Sequence, residues 1–270
     1  ILILAGVILI HELGHFLAMR IFKYNNLGIF FIPLVGAFAS GTKNTVSQKQ
    51  NVIVLLAGPL PGVLIGIILY YFGLKEANEF LIRTSNIFII INLFNLLPIM
   101  PLDGGKIIKS MFFENNEIIN TIFLLLSIAT LTYISVTTHS YFLLIVPFFL
   151  LSQISAQSQD KKVRKAIQAK SIDINKPYDQ LTNEEYWMIR DEIGSHVKYF
   201  SRFITPMDHI ESDKEQKIIA HVKLIINQTP IKDLKIGGKI IITLLWLFSF
   251  IIPLIIITLF LIKLGYFEKL

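Results

Sequence analysis

Cysteine is absent from the 270-residue chain. Disulfide bonds, zinc sites with thiolate ligands, iron–sulfur clusters and cysteine nucleophiles are therefore all excluded. A metal ion bound by this chain would need histidine nitrogens and carboxylate oxygens as its ligands.

Charged residues are scarce, at 16% of the chain, whereas 53% of the residues are hydrophobic. The mean hydropathy of +0.62 is well above that of an ordinary soluble domain and indicates a membrane protein. The net charge of +6 could suggest nucleic acid as a partner, but the chain contains no phosphate loop or nucleotide-binding fingerprint. We interpret the basic excess as an orientation signal and predict no nucleic-acid binding.

Five apolar runs are near or above the roughly 20 residues that span a bilayer, at 1–19, 52–72, 80–97, 118–136 and 240–262. A sixth run, at 141–152, is short, and we interpret it as the return arm of a helical membrane hairpin. Because residue 1 already lies inside an apolar run, we expect the first helix to be truncated. Six spans are predicted in total.

The basic residues alternate between the loops that join these runs. Arg20, Lys23, Lys43 and Lys49 follow the first run without any acid, and 153–239 holds most of the remaining lysine and arginine. Because loops rich in lysine and arginine stay in the cytoplasm, the ends of the first and third runs are predicted to face the cytosol.

Residues 27–41 are apolar but interrupted by Gly28, Pro33, Gly36 and Gly41. Proline lacks a backbone donor and glycine favours turns, so a continuous helix is not favoured. We predict a small re-entrant β-hairpin against the membrane face, with a plain interfacial loop as the alternative.

The motif His11-Glu12-Leu13-Gly14-His15 lies in the first run. On a helix, the imidazoles of His11 and His15 project from one face and can reach the same metal, and the carboxylate of Glu12 can lean toward a water on that metal. Ionisable side chains in a membrane span are costly unless something compensates, and a bound metal would do so.

A catalytic zinc usually has three protein ligands. A third histidine soon after His15 is absent, and no acid follows Glu12 until Glu76, which the charge pattern places outside. Asp103 is the next acid on the predicted cytosolic side and is followed by two glycines. The geometry permits Asp103 to meet the two histidines.

These motifs together resemble the site-2 protease family of intramembrane zinc metalloproteases, peptidase family M50. The likeness covers residues 1–110 and is carried by 11–15, by 58–62 (Gly-Pro-Leu-Pro-Gly) and by 95–105 (Asn-Leu-Leu-Pro-Ile-Met-Pro-Leu-Asp-Gly-Gly). It implies one zinc ion per chain, held by His11, His15 and Asp103, with Glu12 as the catalytic acid and base. It also implies cleavage of a substrate's transmembrane segment near the cytosolic face.

Two positions qualify this resemblance. Position 62 is glycine where many relatives have asparagine, so a polar substrate contact is expected to be missing. Asn95 is a candidate donor to the oxyanion or to the substrate backbone, with simple helix packing as the alternative.

The predicted fold is an all-α multi-pass membrane protein, with a three-helix metalloprotease core, three further spans, the small hairpin and a small helical cytosolic domain. We divide the chain into the core at 1–110, a membrane hairpin at 111–152, a cytosolic domain of unknown role at 153–238, and a C-terminal transmembrane helix with a tail at 239–270. Helices are predicted at 160–170, 182–203 and 212–227, the second with Thr182 and Glu185 as a capping box. Trp246 and Tyr266 are interpreted as membrane anchors.

The predicted function is therefore intramembrane proteolysis of transmembrane proteins, in a bacterial inner or cell membrane, with the active site toward the cytosol. A non-proteolytic metal-binding membrane module and a metal transporter are the alternatives. The substrate, the regulation and the oligomeric state have no signal in the sequence.

Overall fold

A computed structural model of the chain describes residues 2–32, 36–43, 47–113, 116–174, 176, 178–207, 209–226 and 231–263. The chain divides into two compact units, Ile1–Phe123 with Lys232–Leu270, and Leu124–Ile231. The sequence elements of the predicted site all lie in the first unit.

The described residues form ten α-helices and one two-stranded sheet. In chain order these are α1 (Leu2–Ile21), β1 (Asn25–Ile32), β2 (Gly36–Thr42), α2 (Gln48–Ala57), α3 (Pro59–Lys75), α4 (Glu79–Asn95), α5 (Asp103–Ile108), α6 (Glu117–Thr137), α7 (Ile145–Ala169), α8 (Asn183–His196), α9 (Glu215–Ile226) and α10 (Ile236–Lys263).

The helices confirm a multi-pass helical membrane protein. Within the described residues, five segments are long and apolar enough to cross a bilayer: Leu2–Ile21, Gln48–Lys75, Ile118–Thr137, Tyr141–Ala169 and Ile236–Ile256. Between 11% and 17% of the apolar stretch is buried in protein in the last three, so most of their surface requires lipid around it. The predicted span at 80–97, which is not among these five, corresponds to α4, whose 17 residues are at the lower end of spanning lengths.

Helices α3 and α4 pack closely because glycines line α3 where it faces α4. A Cβ added at Gly66 would lie 2.6 Å from Ile89 Cγ1, and one at Gly73 would lie 2.8 Å from Ile82 Cγ1. Small residues let helices approach in a membrane, where burial of apolar surface provides no driving force between them.

Residues 27–41 contain the predicted hairpin. Strands β1 and β2 are antiparallel, with Ile29 opposite Ala39 and Phe30 opposite Phe38. The Phe30 and Phe38 rings stack with centroids 5.4 Å apart, and both side chains are largely exposed. Pro33, which was expected to prevent a continuous helix, lies outside the described residues.

The segment that ends in α10 belongs to the first unit and contacts earlier parts of that unit at three points. Asp233 accepts hydrogen bonds from Ser47 Oγ (2.5 Å) and from the backbone of Lys49 (3.0 Å), which anchors the N-terminus of α2. Lys239 Nζ donates to Met111 O at 2.5 Å. The indole of Trp246 donates to Leu96 O at 2.8 Å, so this residue bonds inside the protein rather than serving as a simple membrane anchor. Tyr266 lies outside the described residues.

The second unit has its own apolar core from α7, α8 and α9. The predicted capping box of Thr182 and Glu185 is confirmed, with both reciprocal hydrogen bonds present. The separate helix predicted at 160–170 is wrong, because α7 runs without a break from Ile145 to Ala169. A helix satisfies its own backbone, so it can pass from lipid to water, and the change to polar residues marks the change of solvent.

Candidate metal centre

Two imidazoles from α1 face the same point, as their four-residue spacing predicts. The side chains of His11 and His15 are buried, and their Nε2 atoms are 3.1 Å apart. Gly58 leaves room for the second ring, since a Cβ at this position would lie 2.5 Å from His15 Cε1. The glycine at the junction of α2 and α3 thus allows the ring to lie against the backbone.

The carboxylate of Asp103, the first residue of α5, completes the group. Its Oδ2 lies 3.0 Å from His11 Nε2 and 3.1 Å from His15 Nε2. Gly105 permits this position, because a Cβ there would lie 2.5 Å from the carbonyl carbon of Ile99. The glycines that follow Asp103 therefore let the start of α5 pack against the loop that precedes it.

The other nitrogen of each ring is already bonded. His11 Nδ1 lies 2.9 Å from Asn92 Oδ1, and His15 Nδ1 lies 2.8 Å from Val54 O. The amide of Asn92 is oriented by its Nδ2, which donates to Phe88 O at 2.8 Å. Both partners of Nδ1 are acceptors, so each Nδ1 carries the hydrogen and each Nε2 presents a lone pair.

Three atoms that can only accept therefore converge: His11 Nε2, His15 Nε2 and Asp103 Oδ2. Neither Nε2 carries a hydrogen, so the two nitrogens cannot hydrogen-bond to each other. Ligand atoms about 2.1 Å from a tetrahedral zinc are about 3.4 Å apart, close to the spacing of 3.0–3.1 Å found here. Among the described residues, His11, His15 and Asp103 are the group of histidine and acidic side chains that could hold a metal ion. Neutral imidazole with carboxylate is a donor set that suits zinc.

Glu12 lies beside this group without belonging to it. Its side chain is 8% exposed, and its Oε2 accepts a hydrogen bond of 2.6 Å from the backbone of Ala39 in β2. Because this amide donates to Glu12, it points away from β1, and the outer edge of β2 faces α1. The hairpin thus positions the carboxylate next to the metal ligands.

Comparisons with known proteins match the part of the chain that holds this motif. The model of peptidase family M50 matches residues 1–80, which include His11, Glu12 and His15. Residues 1–80 are therefore similar to peptidase family M50, the site-2 protease family, over the part of the chain that holds the two histidines.

Three named proteins are similar to this chain, and two of them are described as zinc metalloproteases. The chain is 32% identical over 116 residues to stage IV sporulation protein FB of Bacillus subtilis, with 42% of this chain and 40% of the relative covered. It is 28% identical over 116 residues to a zinc metalloprotease of Methanocaldococcus jannaschii, covering 41% of this chain and 33% of the relative. It is 40% identical over 83 residues to a probable chloroplastic zinc metalloprotease of Arabidopsis thaliana, covering 27% and 14%. The chain spans less than half the length of each of these relatives.

The family and the donor set agree with zinc as the predicted cofactor. The M50 match ends before Asp103, so the placement of this residue beside the histidines comes from the structure.

Two asparagines of α4 differ in their contacts with the group formed by His11, His15 and Asp103. Asn95, the predicted donor, is half-buried, and its Nδ2 donates to Ile91 O at 3.3 Å, one turn back on its own helix. Asn92, which contacts His11, was not predicted. Its signal in the sequence was a polar side chain inside an apolar run, which is costly in a membrane unless it has a partner.

Proposed function

We propose that this chain is an intramembrane zinc metalloendopeptidase that hydrolyses peptide bonds in or near the transmembrane segments of membrane proteins. The observation that carries the proposal is the convergence of His11 Nε2, His15 Nε2 and Asp103 Oδ2 within 3.1 Å of one another, with Glu12 on the same helix. The match of residues 1–80 to family M50 and the zinc metalloproteases among the relatives support it.

Each side chain has a role in this proposal. His11, His15 and Asp103 hold the zinc ion, which when bound supplies a Lewis acid for the scissile carbonyl and for the attacking water. Glu12 is fixed through Oε2 by the Ala39 amide, and we assign to its Oε1 the proton taken from the water and later given to the leaving amine. Asn95 remains the proposed donor to the oxyanion or to the substrate backbone.

The decisive experiment replaces Glu12 by glutamine and measures bound zinc and cleavage of a transmembrane peptide on the same purified protein. Zinc content should be unchanged, because Glu12 is not among the ligand atoms, and cleavage should fall by about 10²-fold or more, since the general base is lost. Glu79→Gln, whose side chain is 80% exposed, is the matched control and should retain full cleavage. Unchanged cleavage by Glu12→Gln would refute proteolysis by this site.

We further propose that an extended substrate segment pairs with the outer edge of β2. On this edge the backbone amide of Ala39 donates to Glu12. The backbone amide of Ala37 points to the same edge, because successive residues of a strand alternate with a period of two. Ala37→Pro removes an edge donor and leaves the ladder with β1 intact, so cleavage should fall at least tenfold with zinc retained. Ala37→Val keeps the donor and should cleave normally; equal turnover of the two variants would reject the added strand.

Metal transport is the alternative from another class. A transporter would be expected to carry several ligand groups along a path, whereas the described residues hold one such group. Uptake of radioactive zinc into proteoliposomes measures transport directly. Uptake by wild-type protein that exceeds leakage and persists in Glu12→Gln would favour transport.

We also propose that the site faces the cytosol of a bacterial cell, and that residues 153–238 form a cytosolic domain. The lysine and arginine distribution supports this orientation. Because the chain has no cysteine, single cysteines at Gln157 and Thr138, both exposed, can be labelled without background. A membrane-impermeant maleimide added to intact cells should label position 138 and spare position 157, and the reverse pattern would invert the topology.

A further inference from the structure

Asn92 is a fully buried polar residue of α4, and both the nitrogen and the oxygen of its side-chain amide are hydrogen-bonded. Its Nδ2 donates to Phe88 O at 2.8 Å, and its Oδ1 lies 2.9 Å from His11 Nδ1. The carbonyl of Phe88 can only accept, so the oxygen of the amide has to face the ring. The contact therefore fixes both the ring plane and the tautomer of His11.

Gly62 of α3 leaves the space that this amide fills. A Cβ at Gly62 would overlap the Asn92 side chain and would lie 2.6 Å from its Oδ1. An alanine at 62 would push the amide away from His11, because the three atoms nearest to its Cβ all belong to the Asn92 amide. The absence of a side chain at position 62 thus makes room for the amide of Asn92 beside His11.

We propose that Asn92 is a positioning residue that holds His11 with its hydrogen on Nδ1 and its Nε2 toward Asp103, and that Gly62 is required because Asn92 occupies its side-chain space. The inference rests on the proposed function, in which His11 is a zinc ligand. Val54 O performs the same task for His15 from a backbone carbonyl, whereas the task at His11 falls to a side chain that can be exchanged.

The expected size of the effect follows from the partners of metal-bound histidines in general. Loss of the group that bonds the second ring nitrogen weakens metal binding by about 10- to 100-fold. Without Asn92, the His11 ring can rotate and can place its hydrogen on Nε2, and in that form Nε2 has no lone pair for the metal.

The first test measures zinc affinity by chelator competition on purified full-length protein in detergent. Asn92→Ala should bind zinc about 10- to 100-fold more weakly, while Asn92→Asp should stay within a few-fold of wild type because a carboxylate still accepts from Nδ1. Ser85→Ala removes another fully buried polar group of α4, whose hydroxyl bonds its own helix, and should leave affinity unchanged. Equal affinities for Asn92→Ala and wild type would overturn the proposal.

The second test is a double-mutant cycle with Gly62→Ala. If Gly62→Ala acts by displacing Asn92, it should weaken zinc binding in the wild-type background and have little further effect in Asn92→Ala. Gly66→Ala, which meets Ile89 one turn along the same helix contact, should show no coupling to Asn92→Ala. If the losses of zinc affinity in Gly62→Ala and Asn92→Ala are additive, the two residues act independently through helix packing, and the inference is overturned.

The third measurement is ¹⁵N histidine NMR on zinc-free protein, with the His11 signal assigned from its absence in His11→Gln. Wild type and Asn92→Asp should show the Nδ1–H tautomer of His11, and Asn92→Ala and Gly62→Ala should show a mixture. If Asn92→Ala does not fold, Gly62→Ala and Asn92→Asp make the same comparison.

His11→Ala separates the two levels of the proposal. Zinc affinity unchanged in His11→Ala would overturn the proposed function. Zinc lost in His11→Ala but held normally by Asn92→Ala and Gly62→Ala would overturn the present inference alone.

Discussion

At the scale of single residues, the metal group depends on glycines as much as on its ligands. Gly58 makes room for the His15 ring, Gly62 for the amide beside His11, and Gly105 for the loop that presents Asp103. Gly14, between the two histidines, lies against the backbone of Ala57: a Cβ at 14 would be 2.8 Å from the Ala57 carbonyl carbon. A methyl group at any of these positions has to move backbone, the His15 ring or the Asn92 amide.

Gly14→Ala should therefore separate α1 from α2 and weaken the bond between His15 Nδ1 and Val54 O. We expect zinc affinity to fall at least tenfold and stability to fall by about 1–3 kcal/mol, the usual cost of overpacking. Chelator competition and thermal unfolding in detergent measure the two effects. Gly6→Ala on the same helix is the control, because a Cβ there meets nothing within 4 Å, and it should be neutral or slightly stabilising. Normal zinc binding by Gly14→Ala would show that the close approach is dispensable.

The convergence of His11, His15 and Asp103 could be predicted from the sequence, whereas the groups that bond and position these side chains could not. The spacing of His11 and His15 requires only helix geometry, and Asp103 stood out because so few acids are available on the predicted side. The partnership of His11 with Asn92 joins residues 81 positions apart and depends on the face that α4 turns to α1. Hydrophobic runs predict that a helix exists, but a helix that is apolar on all sides gives little information on its rotation.

At the scale of elements, apolar runs predicted the membrane helices well because length and composition decide spanning. The same reasoning failed at 160–170, where the change to polar residues was mistaken for a helix boundary within α7. Glycine and proline correctly predicted the break at 27–41, since the hairpin lies there. Contacts between distant elements, such as that of Trp246 with Leu96 O, had no local signal.

Trp246→Phe tests the contact between α10 and the loop before Asp103. The ring is kept but the donor is lost, so the partly buried Leu96 carbonyl loses its side-chain partner, at a cost of about 1–3 kcal/mol. We expect a lower melting temperature in detergent and reduced cleavage, with zinc affinity falling less than in Gly14→Ala. Trp187→Phe in the second unit is the matched control and should leave cleavage unchanged. Identical melting of wild type and Trp246→Phe would assign the indole to packing alone.

At the scale of the whole molecule, the second unit is stabilised by a buried charged network as well as by its apolar core. Arg190 is 1% exposed and bonds Glu215 through Nε at 3.1 Å, and the Tyr186 hydroxyl donates to the same carboxylate. Burial raises the pKa of Glu215, but the hydrogen bonds from Ser212, Tyr186 and Arg190 outweigh it and hold this pKa below its ordinary value.

Stability of this unit should therefore fall in acid. A carboxylate with a lowered folded pKa contributes stability above its unfolded pKa of about 4.3, and the contribution is lost as pH falls through the folded pKa. Trp187, whose ring stacks on His209 and lies 4.9 Å from the Arg190 guanidinium, is the single tryptophan in Trp246→Phe and reports unfolding by fluorescence.

Glu215→Gln should lower stability at pH 7 by about 3 kcal/mol, since it leaves Arg190 without its counterion, and should make the acid dependence shallower. Glu184→Gln, on the exposed start of α8, should keep the wild-type profile. If stability falls as steeply in acid with Glu215→Gln as without it in the Trp246→Phe background, other groups cause the dependence on pH.

The hydrogen bonds of Asp233, Lys239 and Trp246 with earlier parts of the first unit have a consequence for the order of synthesis. His11, His15 and Asp103 have all been made once synthesis reaches position 103, but the segment that anchors α2 and the loop before Asp103 begins 130 residues later, at Asp233. At about 5–20 residues per second, this delay is on the order of ten seconds. A nascent chain would therefore pass through the translocation machinery, among many other unfolded membrane segments, before its metal group is braced. The candidate metal group of a chain made in this order gains the bond from Trp246 only after α10 has been synthesised.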